Sequence, residues 1–321
     1  MKTRIVPVLF ALCLLAAAPC SVNAATYTPI DLGTLPGAPA SLAYGINNRG
    51  QVVGYSYVNN IATAAVWNGT TPTALGMASG GIASQALGIN NGGQVVGATQ
   101  VSSTNFVATV WNGTTPTTLG YLPGTNYSTG EAINASGQVA GYSNSNNVTT
   151  SNIATVWNGT TPTALGMLPG ATSSIGQGIN NSGKVVGFSD INNLAIATVW
   201  DGTTPTALAM LAGGVASYAT DINSSGDVVG YTRFLDGTYE ATVWDDGVAI
   251  ALGMLSGDSN SLALAINDPG QIAGWSFGPG QAHATLWVDP VLQTPLPATL
   301  PLFATGLLGL VLLGWRRNPI C

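Results

Sequence analysis

The sequence predicts an all-β fold, a six-bladed β-propeller, on three observations. A ten-residue phrase, "GINNSGKVVG" from Gly178 to Gly187, occurs six times with variations. Its Ile falls at residues 46, 89, 133, 179, 222 and 266, with spacings of 43, 44, 46, 43 and 44. A period of that length belongs to propellers and solenoids. Each period divides into four short β-forming stretches, the strand count of one blade. Composition agrees: 42 Gly and only 6% charged residues in 321 suit a turn-rich β domain, and scarce Lys and Glu disfavour surface helices.

Within one period the elements follow in order. The stretch ending in Ile-Asn is a first strand and "QVVGYS" a second. Every copy separates them by Asn-x-x-Gly, which suits a type I turn with Asn first and Gly fourth. Asn267-Asp268-Pro269-Gly270 departs, because Pro is disfavoured at the third position, and this copy is expected to turn on Pro-Gly instead. "ATVW" is the third strand, with Trp at 67, 111, 157, 200, 244 and 287. The Asn-Gly after it favours a hairpin into a fourth strand. A looser "LGxLPG" then leads to the next period.

The phase of the repeat predicts closure. The domain, residues 25–290, opens on an unpaired fourth strand, Thr26 to Gly33, and ends on a third strand, His283 to Trp287, with no fourth to follow. Pairing the two removes both exposed edges, so the ring is expected to be clasped by its N-terminal strand. The alternative is an open β repeat array.

The two ends read as addresses. Residues 1–24 combine Lys2 and Arg4 with an apolar run from Ile5 to Ala18 and small residues before Ala24, which describes a secretory signal helix cut after Ala24. Residues 291–321 hold Pro295-Leu296-Pro297, an apolar span over 298–315, then Arg316 and Arg317. As a helix, 18 residues reach about 27 Å, close to a bilayer core of about 30 Å, with the Arg pair as a cytoplasmic stop. This order resembles the PEP-CTERM sorting signal of Gram-negative bacteria, with Leu296 where the family's namesake motif has Glu. The resemblance implies a membrane-anchored precursor, an exosortase-type membrane protease as processing partner, and a destination at the cell surface or in an extracellular polysaccharide matrix. A plain membrane anchor is the simpler alternative.

The repeat itself resembles the HAF family of extracellular bacterial repeats over about Ile30 to Asp289. The "INxxGQVVG" and "LGxLPG" phrases carry the likeness, and "HATLW" at His283 to Trp287 comes nearest to that family's His-Ala-Phe-Leu-Trp. The resemblance implies an extracellular setting and no particular activity.

Composition narrows the chemistry. Between the ends, Arg49, Lys184 and Arg233 stand against 13 acidic residues, a balance that repels nucleic acid. Cys13, Cys20 and Cys321 all lie outside the repeats, so no disulfide framework or cysteine metal site is expected there. The single His283 would have to serve any histidine-based triad, and Glu131 and Glu240 are the only glutamates available for glycoside hydrolysis. Neither set forms a constellation in the sequence, so we expect no catalytic site, cofactor or metal. Asp221 to Asp227 partly resembles a calcium loop, but six hairpins share the turn without the ligands. The repeated Trp set is expected to pack between blades. The candidates for ligand contact are the aromatics that follow "VVG" and its variants: Tyr55, Tyr142, Phe188, Tyr231 and Trp275, read as lying near strand ends. The Gly before each suggests a bulge or a close backbone approach. The expected function is a non-enzymatic surface or secreted repeat protein; the alternative is a carbohydrate-binding propeller module.

Overall fold

A computed structural model describes residues 30–145 and 151–288. The predicted signal helix, Ala24, Pro295, Leu296, Pro297, the span 298–315, Arg316 and Arg317 lie outside the described residues. Among the described residues no helix is long and apolar enough to cross a membrane. The strands all belong to a compact unit that begins at Leu32.

Six antiparallel sheets succeed one another in chain order and make the chain a six-bladed β-propeller. Blade one is β1 (Ser41–Ile46), β2 (Gln51–Val58), β3 (Ile61–Asn68) and β4 (Thr71–Ala74). Blade two is β5 (Ala83–Ile89), β6 (Gln94–Gln100), β7 (Phe106–Asn112) and β8 (Thr115–Thr118). Blade three is β9 (Tyr127–Ile133), β10 (Val139–Asn144), β11 (Ile153–Asn158) and β12 (Thr161–Ala164). Blade four is β13 (Ser173–Ile179), β14 (Val185–Ile191), β15 (Leu194–Asp201) and β16 (Thr204–Ala207). Blade five is β17 (Gly214–Ile222), β18 (Val228–Phe234), β19 (Tyr239–Asp245) and β20 (Val248–Ala251). Blade six has three described strands, β21 (Asn260–Ile266), β22 (Ile272–Gly278) and β23 (Gln281–Trp287). The four-strand parse therefore holds in five blades. The expected N-terminal clasp is not seen: Ile30–Gly33 form no strand, β23 is the edge of its sheet among the described residues, and residues 26–29 lie outside them.

Turn chemistry sets the register. Asn47 closes the first turn through Gly50 N–H to its carbonyl, while its side-chain Oδ1 accepts from Arg49 and Gln51 N–H. Asn267 forms the same turn as the rest, with Gly270 N–H on its carbonyl, which corrects the expected Pro-Gly turn. Pro269 has no N–H to offer the Asn267 side chain, and the Gln271 N–H on Asn267 Oδ1, at 2.8 Å, holds the loop without it. The β3–β4 hairpin is also shifted from its expected centre. Asn68 pairs with Thr71, so Gly69 and Thr70 are the two loop residues, and Gly69 takes the first position at a φ of +60°.

The first and second strands carry one further device. Their register slips by one residue in every blade, leaving Tyr44, Leu87, Glu131, Gln177, Thr220 and Leu264 as bulged residues on the first strands. The second-strand Gly faces this bulge: a Cβ on Gly54 would stand 1.9 Å from Leu42 O. The Gly therefore marks a close backbone approach beside a bulge, as the sequence suggested.

The core is divided among the junctions between blades rather than gathered in one place. Val53, Ala64 and Leu75 of blade one pack with Ala86, Val95 and Trp111 of blade two, and equivalent clusters fill the next four junctions. Trp67, Trp111, Trp157, Trp200 and Trp244 are at most 1% exposed. The ring N–H of Trp111 donates to Gly76 O at 2.6 Å, and that of Trp200 to Gly166 O at 2.6 Å, so these two also pin the "LG" linker that enters their blades, whereas the buried Trp157 ring N–H has no partner among the described residues.

Candidate functional site

The six Ile-Asn phrases converge at one end of the propeller axis. Ile46, Ile89, Ile133, Ile179, Ile222 and Ile266 line a depression of about 690 Å³, and the Asn following each one is also at its wall. Those asparagines have little left to offer a ligand. Asn47 Nδ2 donates to Asn90 O (3.1 Å), Asn90 to Asn134 O (2.9 Å), Asn134 to Asn180 O (3.1 Å) and Asn180 to Asn223 O (3.1 Å). Each Oδ1 meanwhile holds its own turn. The phrase repeats because one amide closes a hairpin and ties that hairpin to the next blade. This use of the Asn side chain was not foreseen from the sequence, although an Asn fixed before every turn was the signal for it.

Asp221 replaces the amide logic with a carboxylate. Its Oδ1 accepts from its neighbour Ile222 N–H at 2.8 Å and its Oδ2 from Ile266 N–H of blade six at 3.0 Å. Burial raises its pKa to about 6, opposed by those two backbone bonds. The carboxylate that suggested a calcium loop is thus tied to the backbone of two blades. Among the described residues no group of three His, Cys, Asp or Glu is placed to hold a metal ion.

The residues weighed for catalysis are dispersed. Glu131 sits on the β9 bulge in blade three, where burial lifts its pKa to about 7, and Glu240 lies on β19 in blade five. His283 Nδ1 stands 3.6 Å from Asp258 Oδ2. Ser276 lies across the ladder from His283, but its hydroxyl donates to Asn260 O and accepts Leu255 N–H, so it is tied to structure.

The five aromatic candidates occupy the middles of second strands, not their ends: Tyr55 in β2, Tyr142 in β10, Phe188 in β14, Tyr231 in β18 and Trp275 in β22. The structure does not bring them into one site. Tyr55 stacks on Tyr44 at 5.5 Å; Tyr142 stacks on Tyr127 at 5.9 Å; Phe188 and Tyr231 flank Tyr218 at 5.1 and 4.8 Å. Burial, with smaller contributions from neighbouring tyrosines, pushes the Tyr231 hydroxyl up to about 12 and moves Tyr55 and Tyr142 in the same direction. Each of these four packs against another ring, with Tyr55 buried and Tyr142, Phe188 and Tyr231 half-buried. Trp275 differs: it is 43% exposed beside Phe277, at 5.2 Å, on the far face of blade six.

A second cavity, of about 410 Å³, lies between blades one and two. Tyr57, Asn60, Ile61 and Ala62 line it from blade one, and Ile82, Ala83, Gln85, Gln100 and Phe106 from the linker and blade two. The sequence reading missed it because none of its residues belongs to a repeated phrase.

No protein-family model and no curated protein sequence matches the chain. Solved propellers match by shape. The β-propeller domain of the Trilobed protease from Pyrococcus furiosus, described as having an open velcro topology, is 10% identical with a TM-score of 0.51, over 78% of this chain and 82% of that one. A prolyl endopeptidase is 12% identical with a TM-score of 0.52, over 78% of this chain and 42% of that one. TolB from Acinetobacter baumannii is 12% identical with a TM-score of 0.45, over 60% of this chain and 49% of that one. The chain thus spans about half the length of TolB and less of the prolyl endopeptidase. At these identities the first two matches show the fold alone.

Proposed function

We propose that the chain is an exported, non-enzymatic repeat platform, held at the membrane by its C-terminal span and then sorted by an exosortase-type protease toward the cell surface or the extracellular polysaccharide matrix. One observation carries the non-enzymatic part: most polar groups of the repeated phrases are engaged within the wall. Asn amides cross between blades, Trp ring N–H groups hold linkers, and Asp221 and Ser276 are bound to backbone. The export and sorting part rests on the two ends of the sequence, through the signal segment and the order Pro295-Leu296-Pro297, apolar span, Arg316-Arg317. Two prolines disfavour helix there and leave an extended stretch that a protease can engage at the membrane surface. Mass spectrometry of the extracellular fraction tests this. The mature chain is expected to begin at Ala25 and to lack everything beyond about residue 298. Trp315 and Arg316 still attached, in cells with a working exosortase, would reduce the segment to a membrane anchor.

The second reading, a carbohydrate-binding propeller module, draws support from the cleft between blades one and two, where aromatic rings and carboxamides share a cavity outside the repeated wall chemistry.

A further inference from the structure

We propose that the cleft between blades one and two binds a single residue of a neutral glycan. This rests on the carbohydrate-binding reading and names its site. The argument begins with register. At the junction of blades two and three, Phe106 lies 5.6 Å from Tyr127, which lies 5.9 Å from Tyr142. Phe106 pairs across its ladder with Gln100, Tyr127 with Asn144 and Tyr142 with Thr129. One blade earlier the corresponding positions are Ala62, opposite Tyr57; Ala83, opposite Gln100; and Ala98, opposite Gln85. Three methyl groups stand where the next junction holds three rings. Two of the three, Ala62 and Ala83, line the 410 Å³ cavity that opens there, within the range of about 300–1,000 Å³ usual for small-ligand sites.

The lining selects the class of ligand. Tyr57 and Phe106 supply ring surface, and both are braced from behind, Tyr57 by Tyr55 at 5.5 Å and Phe106 by Tyr127. Asn60, Gln85 and Gln100 supply carboxamides, each able to donate and accept. The Gln85 carboxamide has no hydrogen bond among the described residues. Ile61 and Ile82, at 46% and 49% exposed, form an apolar rim. Rings that meet a C–H face, and amides that meet hydroxyls on both sides of the hydrogen bond, fit a pyranose. Apart from the Tyr57 phenol no ionisable group lines the cleft, so nothing there pairs with a uronate, a sulfate or an amino sugar's cation, and the acidic excess of the domain repels anionic glycans further. The Asn59-Asn60 turn that carries the Asn60 amide is fixed, with both residues at positive φ (50° and 64°).

The test is titration of the full chain with the methyl glycosides of glucose, galactose, mannose and fucose, read by saturation-transfer NMR. Ala83→Tyr is the decisive variant, because it restores the ring that the next blade carries and fills the cleft without removing a contact. Ala83→Tyr and Gln85→Leu are each expected to weaken binding at least about tenfold, with melting temperature and circular dichroism unchanged. Binding that survives Ala83→Tyr would overturn the cleft assignment and leave the carbohydrate reading standing. Binding lost in Trp275→Ala but retained in Ala83→Tyr would move the site to blade six. No binding by any of the four glycosides, nor by immobilised neutral polysaccharides, would overturn both.

Discussion

Five junctions between blades can be set beside the far face of blade six, which has no blade against it in chain order. In the five, one buried Ala on each third strand gives its N–H to a Ser of the next blade: Ala64 to Ser84, Ala108 to Ser128, Ala154 to Ser174, Ala197 to Ser217 and Ala241 to Ser261, all at 2.9–3.0 Å. Those alanines are fully buried, as are Val53, Val96, Ala140, Val186 and Val229 beside them. In blade six the corresponding Ala284 and Ala273 are exposed, with Trp275 and Leu286 at 43% and 52%. Ser41, the Ser of blade one at the same register, donates to Gly33 O. The sheets themselves are alike, since β21–β22 repeats the bulge of the others. What differs is the junction. In this fold the strand ladders set the pattern and the junctions supply most of the burial that holds it.

Paired substitutions sharpen that comparison. The largest contrast is expected for tryptophan. Trp200→Ala should cost about 3–5 kcal/mol, because the ring is fully buried and bonded to Gly166 O, whereas Trp287→Ala, half-buried at the blade without a fourth described strand, should cost about 1–2 kcal/mol. Denaturant unfolding measures both, and equal losses would mean that the sixth blade is as well sealed as the fifth. Next comes the serine pair. Ser174→Ala leaves the buried Ala154 N–H unsatisfied and should cost about 1–3 kcal/mol; Ser41→Ala should cost about 0.5–1 kcal/mol. Amide hydrogen exchange at Ala154 in the first variant would report the opened junction directly.

The smallest expected effect concerns pH. Glu131 has a folded pKa raised to about 7 by burial, above its ordinary 4.5. A raised carboxyl pKa favours the fold at low pH, and this contribution is lost as pH climbs from about 4.5 through about 7. Asp221 acts in the same direction between its ordinary 3.8 and about 6. Glu131→Gln should therefore match the parent near pH 4 and exceed it at pH 8, the difference opening between about pH 4.5 and 7. Thermal melts across that range would refute the assignment if the two curves ran parallel.

Much of the wall was legible because its chemistry is local. Asn-x-x-Gly dictates its own turn, the Gly before each aromatic announced the bulge, and a Trp every 43 to 46 residues announced the junctions. The Pro269 turn was misjudged because backbone preference was weighed without the side-chain bond from Gln271 N–H. The aromatics were placed at strand ends because the strands were read too short. The cleft was illegible for a different reason. It arises where Ala62 and Ala83 are small together, and two residues on strands of different blades reveal a cavity only once register is known. The bulged first-strand residues, from Tyr44 to Leu264, are of five different types, so no one repeated letter marks them.

The asparagine ladder has a further consequence. Its bonds are vectorial: in each of the first four blades the amide points to the carbonyl of the following one, from Asn47 through Asn180 to Asn223 O. Such an interface is heterologous, with a donor side and an acceptor side that are not interchangeable. Nothing in one such contact counts how many blades precede or follow it. Within the first five blades, duplicating a whole period therefore repeats the same asparagine bond without a new kind of contact. The asparagine contact thus fixes the order of the blades and not their number.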